Sequence, residues 1–256
     1  MTLKLPRRAV LALPLLTALP AHADIPMAAR PLSRDIVWWQ KRHKDKLAEL
    51  REKKPALIFL GDSITQQWEF DGVPSWRNFA PGWQRFYGDR NAVNLGFGGD
   101  ATCHLLWRIE NGEVAGIAPK VAVVLIGANN LGRLHWTAAD TVAGIEAIAG
   151  ALRRRLPSTK ILLLGVLPSE RSDWVNDTTA TINKTLASRY RDAATLAYLD
   201  AGKVFIKNGR ANPDLFLDPL LTPPAAPLHP SAHGQNLLSE AIEPTLAALL
   251  GDYIHR

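Results

Sequence analysis

Short unbroken apolar runs recur along this chain, and amphipathic stretches separate them. The runs cover residues 56–60, 92–95, 121–126, 161–166 and 196–199. They are too short for helices and lack the strict alternation of a half-exposed strand, so they suit a parallel sheet covered on both faces. Helical spacing falls over residues 38–53, 102–111, 137–156, 182–190 and 231–250. Thr137 is placed to cap its helix, with Asp140 as the acid three positions on, and Ser231 is placed to cap the last helix. Pro213, Pro219, Pro223, Pro224, Pro227 and Pro230 make the segment they share a loop. Strand–helix alternation with no repeat and no linker predicts one α/β domain. It is doubly wound in the flavodoxin-like manner, a three-layer sandwich around a central parallel sheet of about five strands.

Composition narrows the picture. The chain is 47% hydrophobic and 21% charged, which excludes wholesale disorder. Cys103 is its one cysteine, so it has no partner for an internal disulfide and no thiolate cluster for a metal. The first 23 residues stand apart: Lys4, Arg7 and Arg8, then an apolar run over 9–19, then Ala21-His22-Ala23. That is the layout of a secretory signal peptide over residues 1–23. The run falls well short of the ~20 residues a membrane span needs. The Arg7-Arg8 pair fits a twin-arginine signal but also occurs in ordinary ones, so the export route stays open. The expected mature protein, residues 24–256, is periplasmic or secreted and has no stable membrane insertion. It carries 27 basic and 24 acidic residues, a net of +3, too mild to point to nucleic acid. Lys41-Arg42-His43-Lys44, followed by Asp45 and Glu49, reads as a solvated helix face.

Candidate chemistry gathers where strands end. Gly61-Asp62-Ser63 follows the first strand, where open α/β sheets collect functional groups. Ser63 there is either a nucleophile or, with Asp62, part of a helix cap. Asn94-Leu95-Gly96-Phe97-Gly98-Gly99-Asp100 ends the second strand and offers bare backbone N–H groups, as an oxyanion hole requires. A Gly-rich turn is the plainer alternative, and the adjacent Gly98 and Gly99 exclude a dinucleotide fingerprint. Gly127-Ala128-Asn129-Asn130 ends the third strand with a side-chain amide, for an oxyanion or for an Asx turn. His229 stands at a loop–helix junction, suited to a general base. His233 follows at metal-binding spacing, but no other clustered ligand accompanies the pair.

Each signal is weak alone, but their order along the chain resembles that of the SGNH hydrolases, also called GDSL esterases. The residues that name the family match Ser63, Gly99, Asn129 and His229. Within it, the chain resembles the catalytic subunits of platelet-activating factor acetylhydrolase and their bacterial relatives. The likeness is carried by Trp38-Trp39-Gln40-Lys41-Arg42-His43, Phe59-Leu60-Gly61-Asp62-Ser63-Ile64-Thr65 and the Asn94–Asp100 segment quoted above. It continues through Leu105-Leu106-Trp107-Arg108, Gly127-Ala128-Asn129-Asn130, Ile161-Leu162-Leu163-Leu164-Gly165 and Glu243-Pro244. The chain departs from the family at one place. The family's Asp stands three residues before the His, where this chain has Ala226. The nearest upstream acid is Asp218, eleven residues before His229, and the segment between reads as an inserted Pro-rich loop. Either Asp218 orients the imidazole, or a backbone carbonyl near Ala226 does.

The resemblance implies a serine esterase. Ser63 would be the nucleophile and His229 the base, with the oxyanion held by the Ser63 and Gly99 N–H groups and the Asn129 amide. No metal or organic cofactor is implied. Short acyl groups are expected, acetyl above all, on a small-molecule or glycan ester substrate. Trp68, Trp76 and Trp83 offer stacking surfaces for sugars or, more plainly, core and rim packing. A catalytically weakened binder of acylated glycans or of a protein partner, and a lysophospholipase or thioesterase of the same superfamily, are the alternatives. Oligomeric state stays open, a homodimer included.

Overall fold

The computed structural model describes residues 24–255; the signal peptide expected over residues 1–23 lies outside them. The apolar runs form strands β1 (Leu57–Gly61), β2 (Ala92–Gly96), β3 (Val121–Leu125), β4 (Lys160–Leu164) and β5 (Leu196–Leu199). They pair in the order β2-β1-β3-β4-β5, every neighbour parallel. This is the flavodoxin-like doubly wound order, whose chain direction reverses at β1 and β3. Expected and observed strand ends differ by at most two residues.

Both faces of each central strand are buried because successive side chains enter different cores. Ile58, Leu60, Val93, Leu95, Val124 and Leu163 pack on one face. That layer comes from α1 (Val37–Lys53), α4 (Thr102–Arg108), α6 (Ala138–Arg155) and α7 (Asp173–Arg189). Leu57, Phe59, Val123, Leu125 and Leu162 face the other way. They meet α3 (Ala80–Tyr87) and α8 (Ala232–Leu250). The two shortest helices, α2 (Ser63–Gln66) and α5 (Ala128–Gly132), start just beyond the carboxyl ends of β1 and β3. Thr137 caps α6 by accepting the Asp140 N–H, and Ser231 caps α8 by accepting that of Gly234. The tryptophans of the 68–83 segment serve the core: Trp68 and Trp83 meet Tyr87 edge-to-face, and Trp76 packs against the same cluster.

Three expectations need correction. Helix α7 begins at Asp173, nine residues before the expected start, because Ser172 caps it at the Val175 N–H. Its first turns carry the adjacent Trp174 and Val175 and then a run of mainly polar residues, so the hydrophobic period is faint until Ile182. Helix α3 was not anticipated; it follows Phe79 and carries Pro81 in its first turn. The basic run on α1 is only half solvated. Lys41 and Lys44 are exposed, whereas His43 is buried and meets the Asn111 carbonyl at 3.1 Å. Arg42 turns in to donate to the Gly96 carbonyl at 2.9 Å and to Glu69 at 2.8 Å.

A buried cation joins the sheet to its loops. Arg108, fully buried at the end of α4, donates to the carbonyls of Gly61 at 3.1 Å and Leu95 at 3.2 Å. It also pairs with Asp100 at 2.9 Å and with Glu113. Its guanidinium lies 3.9 Å from the centroid of Phe97. Removing one partner of a buried ionic cluster leaves uncompensated charge behind. Arg108→Met, which keeps much of the volume, is therefore expected to lower the unfolding free energy by about 3–5 kcal/mol. Urea denaturation at pH 7 measures this, and a change within error would mean that Asp100 and Glu113 find other donors.

Candidate active site

The chain folds back at the carboxyl end of β1 through Asp62, whose side chain accepts the Ile64 N–H at 3.0 Å. Ser63 becomes the first residue of α2, half-buried, with its hydroxyl directed at a histidine. Gly96 lets this turn approach β2, since a Cβ there would collide with the backbone of Thr65 and Gln66. The loop after β2 is tied down at each step. Phe97 donates to the Gly61 carbonyl at 3.1 Å, and the Gly98 N–H to Gln66 Oε1 at 2.6 Å. Asp100 Oδ1 accepts from Trp39 Nε1 at 2.7 Å and Arg34 Nη1 at 3.1 Å. Between these fixed points Gly99 adopts φ +76°, a conformation that favours glycine. Among the described residues, the N–H groups of Ser63 and Gly99 meet no protein acceptor. The loop leads into α4, where His104 Nδ1 accepts the Ala101 N–H at 2.9 Å. Burial pushes that imidazole down to about 4, which keeps it neutral and able to accept.

The two asparagines after β3 do different things. Asn129 donates one amide hydrogen to the Asp100 carbonyl at 3.0 Å; the amide lies 3.4 Å from Asp62 Oδ2, too long for a strong bond. Asn130 is fully buried and holds α4, accepting from the Thr102 N–H at 3.0 Å and donating to its hydroxyl at 2.7 Å.

His229 Nε2 stands 3.0 Å from Ser63 Oγ. Its other ring nitrogen, Nδ1, lies 2.7 Å from Asp218 Oδ1. The structure thus sets Asp218, rather than a carbonyl near Ala226, against the imidazole. Residues 215–217 run antiparallel to residues 229–231, with Leu217 N–H bonded to the His229 carbonyl at 2.8 Å and Ser231 N–H to the Leu215 carbonyl at 2.9 Å. The Pro-rich segment between is a closed excursion, exposed from Leu220 to Ala226. Asp218 Oδ2 accepts the Leu228 N–H at 2.8 Å and the His229 N–H at 2.6 Å, which fixes the carboxylate as well as the ring. His233 is exposed on the first turn of α8. Among the described residues no three His, Cys, Asp or Glu side chains converge on a metal position. Cys103 is buried and unpaired, and burial pushes its thiol up to about 11.

Sequence reasoning took Asp62 only as a cap and passed over Gln66, Asp100 and Arg171. Their neighbours are distant in sequence, so no local pattern announced them. Asp62 and Asp218 are both buried but shift in opposite directions. Burial pushes Asp62 up to about 6, against the Ile64 N–H and the charges of His229 and Arg171. Burial also opposes ionisation of Asp218, but the His229 and Leu228 hydrogen bonds outweigh it and hold the carboxyl below its usual range.

Comparison with known proteins places this geometry among relatives. The sequence pattern of the GDSL-like lipase/acylhydrolase family matches residues 59–237. The platelet-activating factor acetylhydrolase IB subunit alpha2 of Homo sapiens is 34% identical over 191 residues, covering 74% of this chain and 77% of its own. A GDSL-like lipase from Bacteroides thetaiotaomicron shares the fold with a TM-score of 0.62 at 17% identity, over 81% of this chain and 97% of its own. A carbohydrate acetylesterase family member from Sinorhizobium meliloti does so with a TM-score of 0.58 at 17% identity, over 76% and 98%. The family match agrees with the resemblance carried by the sequence motifs.

The opposed carboxylates make a pH-dependent prediction. Asp62, with its pKa raised from 3.8 to about 6, costs folding free energy that accrues as pH rises above 3.8 and is complete above about 6. Asp218, with its pKa lowered, stabilises the fold above the ordinary carboxylate range and loses that contribution as pH falls. Asp62→Asn keeps a good helix cap but removes the titration. Its stability relative to the parent should therefore rise by about 2.5 kcal/mol between pH 4 and pH 8. Paired denaturant curves at the two pH values test this, and a pH-independent difference would show that Asp62 titrates normally.

Proposed function

The chain belongs to the GDSL-like lipase/acylhydrolase family and is a serine ester hydrolase, and on that premise we propose that Ser63, His229 and Asp218 form its catalytic triad. The observation that carries this reading is the continuous chain from Ser63 Oγ through the imidazole to Asp218, with links of 3.0 and 2.7 Å.

In this reading, Asp218 holds the Nδ1–H tautomer, so that Nε2 faces the serine with its lone pair. Ser63 Oγ attacks the ester carbonyl carbon as Nε2 takes its proton, and the carbonyl π pair moves onto oxygen. The Ser63 and Gly99 N–H groups and the Asn129 amide donate to that oxyanion. Collapse breaks the bond to the alcohol, which leaves with the proton from Nε2. Water, deprotonated by the same imidazole, attacks the acyl-serine, and the acid departs as the proton returns to Ser63. Asp218 stays ionised and offsets the positive charge on His229 at each tetrahedral stage. Every atom in this sequence comes from the chain, the ester and water.

We further propose that the acyl group is short, with acetyl first. The names of the human acetylhydrolase subunit and of the Sinorhizobium acetylesterase family member support this. The amino-terminal pattern supports export as a periplasmic or secreted enzyme.

Ser63→Ala should abolish hydrolysis of a chromogenic acetyl ester while leaving the denaturation midpoint in place. Asp218→Ala should lower kcat by at least ~10², a cautious fraction of the loss seen when a triad carboxylate is neutralised. Ala226→Asp in that background should return part of it. A folded Asp218→Ala protein with near-normal kcat would show that this carboxylate only ties the loop. For the oxyanion hole, Asn129→Ala should cost ~10²–10³ in kcat and far less in KM. An effect confined to KM would reassign the amide to substrate binding.

A further inference from the structure

A groove of about 1010 Å³ opens beyond the carboxyl ends of β4 and β5, and Ser63, Asn129, Asp218 and His229 take no part in its lining. Strand β5 is an edge strand, paired only with β4. One wall of the groove is a face of α7, where Asn176, Asp177, Ala180, Asn183 and Lys184 recur at helical spacing. Another face of the same helix sends Val175, Ile182 and Leu186 into the core. The second wall is a turn of 3-10 helix (Ala201–Phe205) and the antiparallel hairpin of β6 (Ile206–Lys207) and β7 (Arg210–Ala211). Asn183 is fixed at the base: it accepts the Val166 N–H at 2.9 Å and donates to the Val166 carbonyl at 2.9 Å.

The groove and the catalytic cleft lie on one rim of the sheet and share Glu170. Its N–H donates to the carbonyl of Pro227, two residues before His229, at 2.9 Å. Its carboxylate pairs with Arg210 at 2.5 Å and accepts the Ala211 N–H at 2.8 Å. Neighbouring strands stand ~4.8 Å apart, so β4 and β5 lie roughly 10–15 Å from β1, the strand that carries Ser63. A chain of a few sugar rings covers that span.

The polar groups left open in the groove are balanced in charge. Arg210 is taken up by Glu170, with Asp173 at 3.9 Å. Asn176, Asp177 and Lys184 on one wall, and Asp200 and Lys203 on the other, have no side-chain partner among the described residues. The Tyr198 hydroxyl is buried and also lacks one. Two carboxylates, two ammonium groups and an amide sum to no net charge. A ligand hydroxyl both donates and accepts, so a neutral polyol satisfies every member of this set. A charged ligand would set half of the ions against a like charge. Leu199 and Ile206 add apolar surface for the C–H faces of a ring, and Ala180 and Gly209 keep the walls low. Sites for a drug-sized ligand span about 300–1,000 Å³. This groove reaches the top of that range, which suits several linked rings.

We propose that the groove binds the neutral sugar chain of an acylated oligosaccharide while the ester itself lies at Ser63, so that the preferred substrates are short-chain acyl esters of neutral glycan polymers. This rests on the esterase reading above and names its substrate class.

Chain length tests it. The probes are β-1,4-linked oligomers of xylose, mannose or glucose, each with one O-acetyl group on a terminal unit, and a chromogenic acetyl ester. From monomer to tetramer, kcat/KM should rise about tenfold or more in at least one series, the size of one or two hydrogen bonds. Ala180→Trp fills the groove from an exposed position on α7. Asp177→Ala combined with Asp200→Ala removes both open carboxylates. Each variant should flatten the rise and leave the chromogenic ester unchanged. Turnover of the chromogenic ester with no gain from length in any series would overturn the groove and leave the esterase reading standing. A gain that survives Ala180→Trp would also overturn it, because the chain would then lie elsewhere. An equal loss on every substrate in both variants would assign these residues to the fold alone. Preference for an acetylated galacturonate tetramer over every neutral one would refute the neutral ligand. Calorimetry separates this proposal from the esterase reading, since it needs no turnover. Ser63→Ala protein should bind at least one unacetylated neutral tetramer, and Ala180→Trp added to it should weaken that binding about tenfold. Binding of none would sink the groove even in an active esterase, whereas binding by a protein that cleaves no ester would sink the esterase reading instead.

Discussion

The buried guanidinium of Arg108 is the constraint on which the site depends. The carbonyls of Gly61 and Leu95 at the carboxyl ends of β1 and β2 each have room for a further donor, and Arg108 donates to both. The same side chain pairs with Asp100, which also receives Trp39 and Arg34. Gly99 stands one residue before Asp100, and the Asp100 carbonyl receives the Asn129 amide. One cation thus sets the relative positions of the serine turn, the glycine loop and the asparagine helix. Buried ion clusters add little net stability against a well-packed apolar alternative. What this one provides is geometry: donors held in place before substrate arrives need no rearrangement during reaction.

The sheet supplies the rest of the frame. The reversal of winding direction between β1 and β3 opens a crevice outside their carboxyl ends. Ser63 and Asn129 stand on its two sides because each follows directly on its strand. His229 comes from the far end of the chain, carried by the start of α8, whose Gln235 donates to the Ile64 carbonyl at 2.7 Å. That bond links the helix that follows the imidazole to the helix bearing the serine. Nucleophile and base are therefore registered by helix contacts as well as by their own hydrogen bond.

Charge around Ser63 is sorted by solvation. Asp218 and Asp62 are both buried, yet hydrogen bonds hold the Asp218 carboxyl below its ordinary range whereas burial pushes Asp62 up to about 6. The result is an ionised acid behind the imidazole, with a second carboxylate beside the serine that titrates nearer neutrality.

The sequence by itself determined the strands, their parallel arrangement and the family. Fully buried parallel strands need unbroken apolar runs, and family motifs sit at strand ends where local chain order places them. The caps at Thr137 and Ser231 were legible for the same reason, since a cap and the N–H it satisfies lie three residues apart. Only the tertiary structure decided the relations between distant residues. The reach of Asp218 to His229 depends on an antiparallel bridge between Phe216 and Pro230 that folds the Pro-rich excursion out of the way. The inward turn of Arg42 and His43 depends on where α1 docks. The shifts at Asp62 and Asp218 depend on burial and on donors contributed by other segments. The long reach of Arg108 is likewise set by packing. Local pattern encodes what adjacent residues do to one another, whereas solvation and long-range contact exist only once the chain has closed on itself.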